Sequence, residues 1–148
     1  MARWEKYDSR PSHYSKWHRY QPDRFAYVDI DALEFCKDCK SPLAVMELAQ
    51  DVGQKRKSFL QTLYVARGLQ VPGYVVLYTV AQNPQNDGEA ISAFRMMKIY
   101  PEISEFHEVS VDQYLNWLRH IHNNCRCKDN GQYSKEASYA KTRKRSKT

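Results

Sequence analysis

Two apolar runs limit what this chain can fold into. Leu43–Leu48 (LAVMEL) is nearly continuous in apolar side chains, and Val71–Val80 (VPGYVVLYTV) is a second such run. A strand that reads this way is covered on both faces, whereas a half-exposed strand alternates polar with apolar. Helices must therefore pack on the sheet. Phe59, Leu60, Leu63, Tyr64 and Ala66 recur at helical spacing within Lys55–Gly68, with Gly68 placed to stop the helix. Val111, Tyr114, Leu115, Leu118 and Ile121 share one face of a second helix, Val111–Asn123. Asp112 in its first turn and Arg119 near its end suit the helix dipole.

The remaining elements fall around these. In Phe25–Phe35, Val28 and Ile30 alternate with Asp29 and Asp31, the period of a strand. The short polar turn Cys36–Pro42 joins it to Leu43–Leu48 as a hairpin. Gln82–Glu89 is a loop, and Ala90–Tyr100 reads as a strand ending at Pro101. Upstream, Ser12 can cap a short aromatic helix carrying Tyr14, Trp17 and His18, which Gln21-Pro22-Asp23 breaks. The order is helix, hairpin, helix, strand, strand, helix. It predicts an α/β (α+β) fold with a mixed central sheet, an N-terminal hairpin and flanking helices.

The chain has 148 residues, enough for one core. Its net charge of +6 is uneven. Residues 1–24 hold six basic and three acidic side chains, 25–134 eleven and thirteen, and 135–148 six and one. Residues 1–134 are expected to form a single domain and 135–148 a basic disordered tail. The tail cations Lys141, Arg143, Lys144, Arg145 and Lys147 suit contact with nucleic-acid phosphates, or serve only to solubilise. No apolar run approaches the roughly 20 residues of a membrane helix. The polar start MARWEKYDSR lacks the apolar region of a secretory signal, so a cytoplasmic location and no membrane partner are expected.

Three carboxylates stand out. Asp29 and Asp31, two apart on a strand, point to the same side. Glu47 lies within an apolar run, where an unpaired charge is costly. Carboxylates converging from neighbouring strands can hold Mg²⁺, which polarises a phosphodiester and activates water. Alternatively, Glu47 or Asp31 pairs with a Lys or Arg, or lies at the solvent end of its strand. Lys55, Arg56 and Lys57 open the following segment and serve either as a phosphate contact or as a solvated first turn.

The four cysteines form two close pairs, Cys36-x-x-Cys39 and Cys125-x-Cys127. Two such pairs can build a closed Cys₄ zinc site with a structural role. His120 and His122 lie close enough in sequence to replace a ligand. Four separate reduced thiols are the other expectation for a reducing compartment. The eleven tyrosines suit a protein-binding surface. Among them, Tyr74 and Tyr78 share one strand face and Tyr27 lies beside Asp29.

The aromatic N-terminal helix, the D-x-D strand with its hairpin, the strand bearing Glu47 in V-M-E-L-A, the helix and the further apolar strand together resemble the PD-(D/E)XK nuclease superfamily. The segments RPSHYSKWHR and VDIDALEF also resemble those of small phage-encoded proteins. The resemblance spans roughly residues 10 to 100. It implies a restriction-endonuclease-like core, Mg²⁺ held by Asp31 and Glu47 with Asp29 assisting, and phosphodiester hydrolysis. It also implies a lysine two residues after the Glu, where this chain has Ala49. Gln50 can replace part of that lysine's hydrogen bonding, or Lys55 or Lys57 can reach back into the site. Otherwise the fold is kept without the activity, and the chain binds nucleic acid or a host protein.

Overall fold

The computed structural model describes Trp17, Gln21, Pro22 and residues 30–130. The N-terminal helix expected around Ser12, Tyr14 and His18, the strand residues 25–29 with Tyr27 and Asp29, and the tail lie outside the described residues. Among those described, five strands form one mixed sheet in the order β1-β2-β3-β4-β5. They are β1 (Ala32–Phe35), β2 (Pro42–Gln50), β3 (Gly73–Val80), β4 (Ile91–Tyr100) and β5 (His107–Val109). The helices are α1 (Leu60–Leu69), α2 (Val111–Asn123) and the short α3 (Cys127–Asn130). No helix among the described residues is long and apolar enough to cross a membrane.

The topology follows from the connections. β1 and β2 are antiparallel and share a short turn. β2 and β3 are parallel, which requires a crossover, and α1 supplies it. β4 and β5 continue antiparallel from β3.

The two faces of β2 explain its continuous apolar run. Met46 packs with Val76, Met96 and Val109 on one face, beneath Tyr114 and Trp117 of α2. Val45, on the other face, packs with Ala66 of α1 and with Val71. Val75, Leu77 and Ile99 extend that second core towards Phe59 and Leu63. The result is three layers, helix on sheet on helix. Tyr74 meets Trp117 edge-on at 4.9 Å, and Phe94 stacks on Tyr114 at 4.0 Å. α2 is held at its start by a reciprocal cap: Gln113 N–H donates to the Ser110 hydroxyl at 3.1 Å, while Ser110 N–H donates to the Gln113 side chain at 2.9 Å.

α1 departs from the expected Lys55–Gly68 at both ends. It begins at Leu60, so Lys55, Arg56 and Lys57 lie in the loop before it rather than in its first turn. Three adjacent cations oppose the positive end of a helix dipole, which disfavours extending the helix through them. Arg95 organises that loop instead. Its guanidinium grips both oxygens of Asp51 at 2.8 and 2.9 Å and donates to the Gln54 carbonyl at 2.8 Å. The hydrogen bonds from Arg95 hold the Asp51 carboxyl below the usual carboxylate range. At the other end the helix runs through Gly68, and Gln70 takes the left-handed capping position at φ 57°.

Gly73 marks the closest approach of α1 to the sheet. A Cβ added there would lie 2.9 Å from Ala66 Cβ and 3.1 Å from Ile99 Cγ1, while one at Gly68 would meet nothing within 4 Å. Gly73→Ala should therefore destabilise the fold by about 1–3 kcal/mol through overpacking. Gly68→Ala should stabilise it by about 1 kcal/mol through helix propensity. Urea denaturation of the two variants checks both signs.

Candidate functional site

The first cysteine pair is set by a tight turn at the end of β1. Cys36 N–H donates to the Ser41 carbonyl at 2.8 Å, and Lys40 N–H donates to the Cys36 carbonyl at 2.8 Å. Lys40 closes the turn at φ 68°, a conformation that costs a non-glycine residue roughly 1 kcal/mol. The second pair follows α2, where Lys128 N–H donates to the Cys125 carbonyl at 2.9 Å. These two turns meet. Cys36 Sγ lies 3.6 Å from Cys127 Sγ, and Cys39 Sγ lies 3.5 Å from Cys125 Sγ. All four sulfurs fall within 4.8 Å of one another, the one such group of metal-ligating side chains among the described residues.

These separations exclude disulfides, whose sulfurs are about 2.05 Å apart, and the four cysteines are free. They match a tetrahedral cage instead. Metal–sulfur bonds of about 2.3 Å place the sulfurs about 3.8 Å apart. The cluster thus has the size and donor set to hold a metal ion such as zinc. Cys36 and Cys125 are buried, and Cys39 and Cys127 are half-buried.

The electrostatics of the thiols are split. The Ser41 side chain, 3.1 Å away, and the Ser41 backbone N–H favour the Cys39 thiolate and bring its pKa down to about 6. The Cys39 backbone N–H lowers Cys36. Burial and the neighbouring thiols push Cys127 up to about 12. Cys36 and Cys39 are thus shifted towards the thiolate, while Cys125 and Cys127 are shifted towards the thiol. A bound divalent cation removes that conflict, because each ligating thiol is then deprotonated.

Two further links join the same segments. His122 Nε2 meets Glu34 Oε2 of β1 at 2.7 Å, and Lys128 pairs with Asp38 in the cysteine turn. His120 Nδ1 faces the Asn124 amide at 3.0 Å. Neither histidine joins the sulfur cluster, contrary to the possibility that one replaces a cysteine ligand. The pairing with Glu34 and the cap at Asn124 account for their orientation.

The carboxylates are placed differently. Glu47 projects from β2 towards α1. Its Oε1 lies 3.2 Å from Lys57 Nζ, and its Oε2 accepts from the Thr62 hydroxyl at 3.3 Å. Glu47, Lys57, Ser58, Gln61, Thr62 and Ile30 line a pocket of about 320 Å³. Asp31 lies just before β1, which begins at Ala32, whereas the expected Phe25–Phe35 strand included it; its Oδ2 accepts from Leu48 N–H at 2.9 Å. Of the nearby cations, Lys57 reaches Glu47, whereas Lys55 and Arg56 are exposed. Ala49 shares the Glu47 face and packs against Val75 and Leu77. Gln50, one residue further, falls on the opposite face by strand alternation. Asp29 and the tail cations Lys141, Arg143, Lys144, Arg145 and Lys147 lie outside the described residues.

The links between Glu34 and His122 and between Asp38 and Lys128 have no signature in the sequence, since each joins segments about ninety residues apart. Comparison with family models, with curated proteins and with solved structures finds no match to this chain.

The thiol asymmetry is directly testable. In chain stripped of metal by a chelator, iodoacetamide at pH 7 should modify Cys39 well before Cys127. Cys39 labelling should slow as the pH falls through about 6, where its thiolate is lost. Peptide mass spectrometry of timed samples reads both.

Proposed function

We propose that the chain is a nucleic-acid-binding domain of nuclease-like architecture, stapled by a structural zinc ion and without cleavage activity of its own. Zinc suits a site of four thiolates with no open position, so its role here is structural. Such a site can contribute roughly 10 kcal/mol or more to folding. Nucleic acid suits the charge distribution, with basic ends flanking a mildly acidic middle that exposes Lys55 and Arg56. Asp31, one residue before β1, reaches the β2 backbone beside Glu47, which suits the nuclease resemblance.

The observation that carries the non-catalytic reading is the engagement of both carboxylates by the protein itself. Glu47 is neutralised by Lys57 and hydrogen-bonded to Thr62, and Asp31 is bound to a β2 backbone N–H. The position two residues after Glu47 holds a half-buried alanine packed against the core. One observation favours a hydrolytic reading. Lys57 delivers an ammonium group to Glu47 from another segment, which can stand in for the lysine absent at position 49.

A single set of measurements separates the readings. Purified chain should contain about one zinc per molecule, and Cys36→Ser should lower both zinc content and melting temperature. The native chain should bind labelled oligonucleotides with an affinity that falls steeply as salt rises. Glu47→Gln should bind as well as native, and neither protein should cleave DNA or RNA with Mg²⁺ or Mn²⁺. Metal-dependent cleavage that disappears in both Glu47→Gln and Lys57→Ala would establish the hydrolytic reading instead.

A further inference from the structure

Metal binding is not the only chemistry open to four sulfurs held this closely. Two short contacts cross between the turns, Cys36 Sγ to Cys127 Sγ at 3.6 Å and Cys39 Sγ to Cys125 Sγ at 3.5 Å. Each of these pairs joins a buried cysteine, Cys36 or Cys125, to a half-buried one, Cys127 or Cys39. Each therefore has one sulfur that a small oxidant can reach from solvent and one shielded sulfur to react with the product. Bringing either pair to the 2.05 Å of a disulfide takes an approach of about 1.5 Å, on the scale of side-chain rotation. A bond between Cys125 and Cys127 would have to close across a single residue, Arg126, which strains disulfide geometry. The local competitor is Cys36 with Cys39.

We infer that the cluster is an oxidation site, at which a peroxide converts the four cysteines into two cross-turn disulfides, Cys36–Cys127 and Cys39–Cys125, and the zinc ion is released. This rests on the zinc reading above and adds to it how the site gives up its metal. The half-buried thiolate attacks an oxygen of hydrogen peroxide: an S–O bond forms, the O–O bond breaks and hydroxide leaves. The buried thiolate of the same pair then attacks that sulfur: the S–S bond forms, the S–O bond breaks and a second hydroxide leaves. Solvent protons turn both hydroxides into water. Each pair passes two electrons to one peroxide, so two peroxides consume all four thiolates. The dication, left without anionic ligands, departs.

The two bonds replace the ion as the link between the turns. They join positions 91 and 86 residues apart, and closing loops of that length constrains the unfolded chain more than a local bond does. Glu34 with His122 and Asp38 with Lys128 join the same segments without using sulfur, which favours pairing across the turns. Oxidation thus empties the site of metal while the hairpin stays fixed to the segment after α2.

Trypsin can read the pairing, because Lys37 separates Cys36 from Cys39 and Arg126 separates Cys125 from Cys127. The full-length, zinc-loaded chain is treated with hydrogen peroxide while a chromogenic chelator reports free zinc, then alkylated and digested without reduction. About one zinc should appear for about two peroxides consumed per chain. Mass spectrometry should find Phe25–Lys37 linked to Cys127–Lys128, and Asp38–Lys40 linked to His120–Arg126. The oxidised, zinc-free chain should melt well above the reduced, zinc-free chain. Any other linkage, within a turn or between chains, overturns this assignment and leaves the zinc reading standing. So do oxidation to sulfinic acid without disulfides, retention of the zinc, and equal melting temperatures. A chain that purifies without zinc removes the zinc reading itself. The same treatment then still decides the pairing, which the two linked peptides uphold and any other product overturns.

Discussion

Four sulfurs within 4.8 Å of one another must share protons or share a cation, and much of this end of the fold depends on which they do. With thiols alone, the cluster holds Cys39 and Cys127 at opposite extremes of acidity. With a dication, the four become equivalent anionic ligands and the two turns are locked together. β1, Ala32–Phe35, is short and lies at the edge of the sheet among the described residues, paired with β2. Three links fix its hairpin to the segment around the end of α2: the sulfur cluster, Glu34 with His122, and Asp38 with Lys128. The last two are half-exposed polar contacts, which are worth little individually in water.

The centre of the molecule obeys a different constraint. β2 and β3 are parallel and apolar on both faces, so each face needs its own helix, and α1 and α2 provide them. Glu47 breaks the apolar run of β2, and the structure answers its charge with Lys57 and Thr62. No buried side-chain polar atom among the described residues is left without a partner. The same pairing can serve a structural or a chemical end, since an ammonium beside a carboxylate is also the arrangement a phosphate would meet.

Much of this was legible in the sequence. The amphipathic period of Val111–Asn123 marks the bounds of α2, although Leu115, expected on its apolar face, is exposed and Trp117 packs with Tyr114 on the core instead. The apolar runs mark β2, β3 and β4 to within two residues, and the two cysteine pairs pointed to one another across most of the chain. Other features were not legible. β5 and α3 are too short to carry a periodic signal. The start of α1 is shifted by the loop that Arg95 organises, a long-range interaction no local pattern encodes. Gly68 suggested a helix stop, yet Gln70 took the left-handed position. Intrinsic preference was outweighed there by the Gln70 backbone N–H, which closes on Ala66 and Arg67. His120 and His122 looked like spare ligands because spacing reveals nothing of Glu34, on a distant strand, which pairs with His122.

The central claim is that the four cysteines share one metal ion. X-ray absorption at the zinc edge of the purified chain tests it most directly. Four sulfur neighbours at about 2.3 Å, with no nitrogen or oxygen in the first shell, is the predicted result. A shell containing nitrogen or oxygen donors, or a chain that purifies without zinc and keeps its melting temperature on Cys36→Ser substitution, would contradict it.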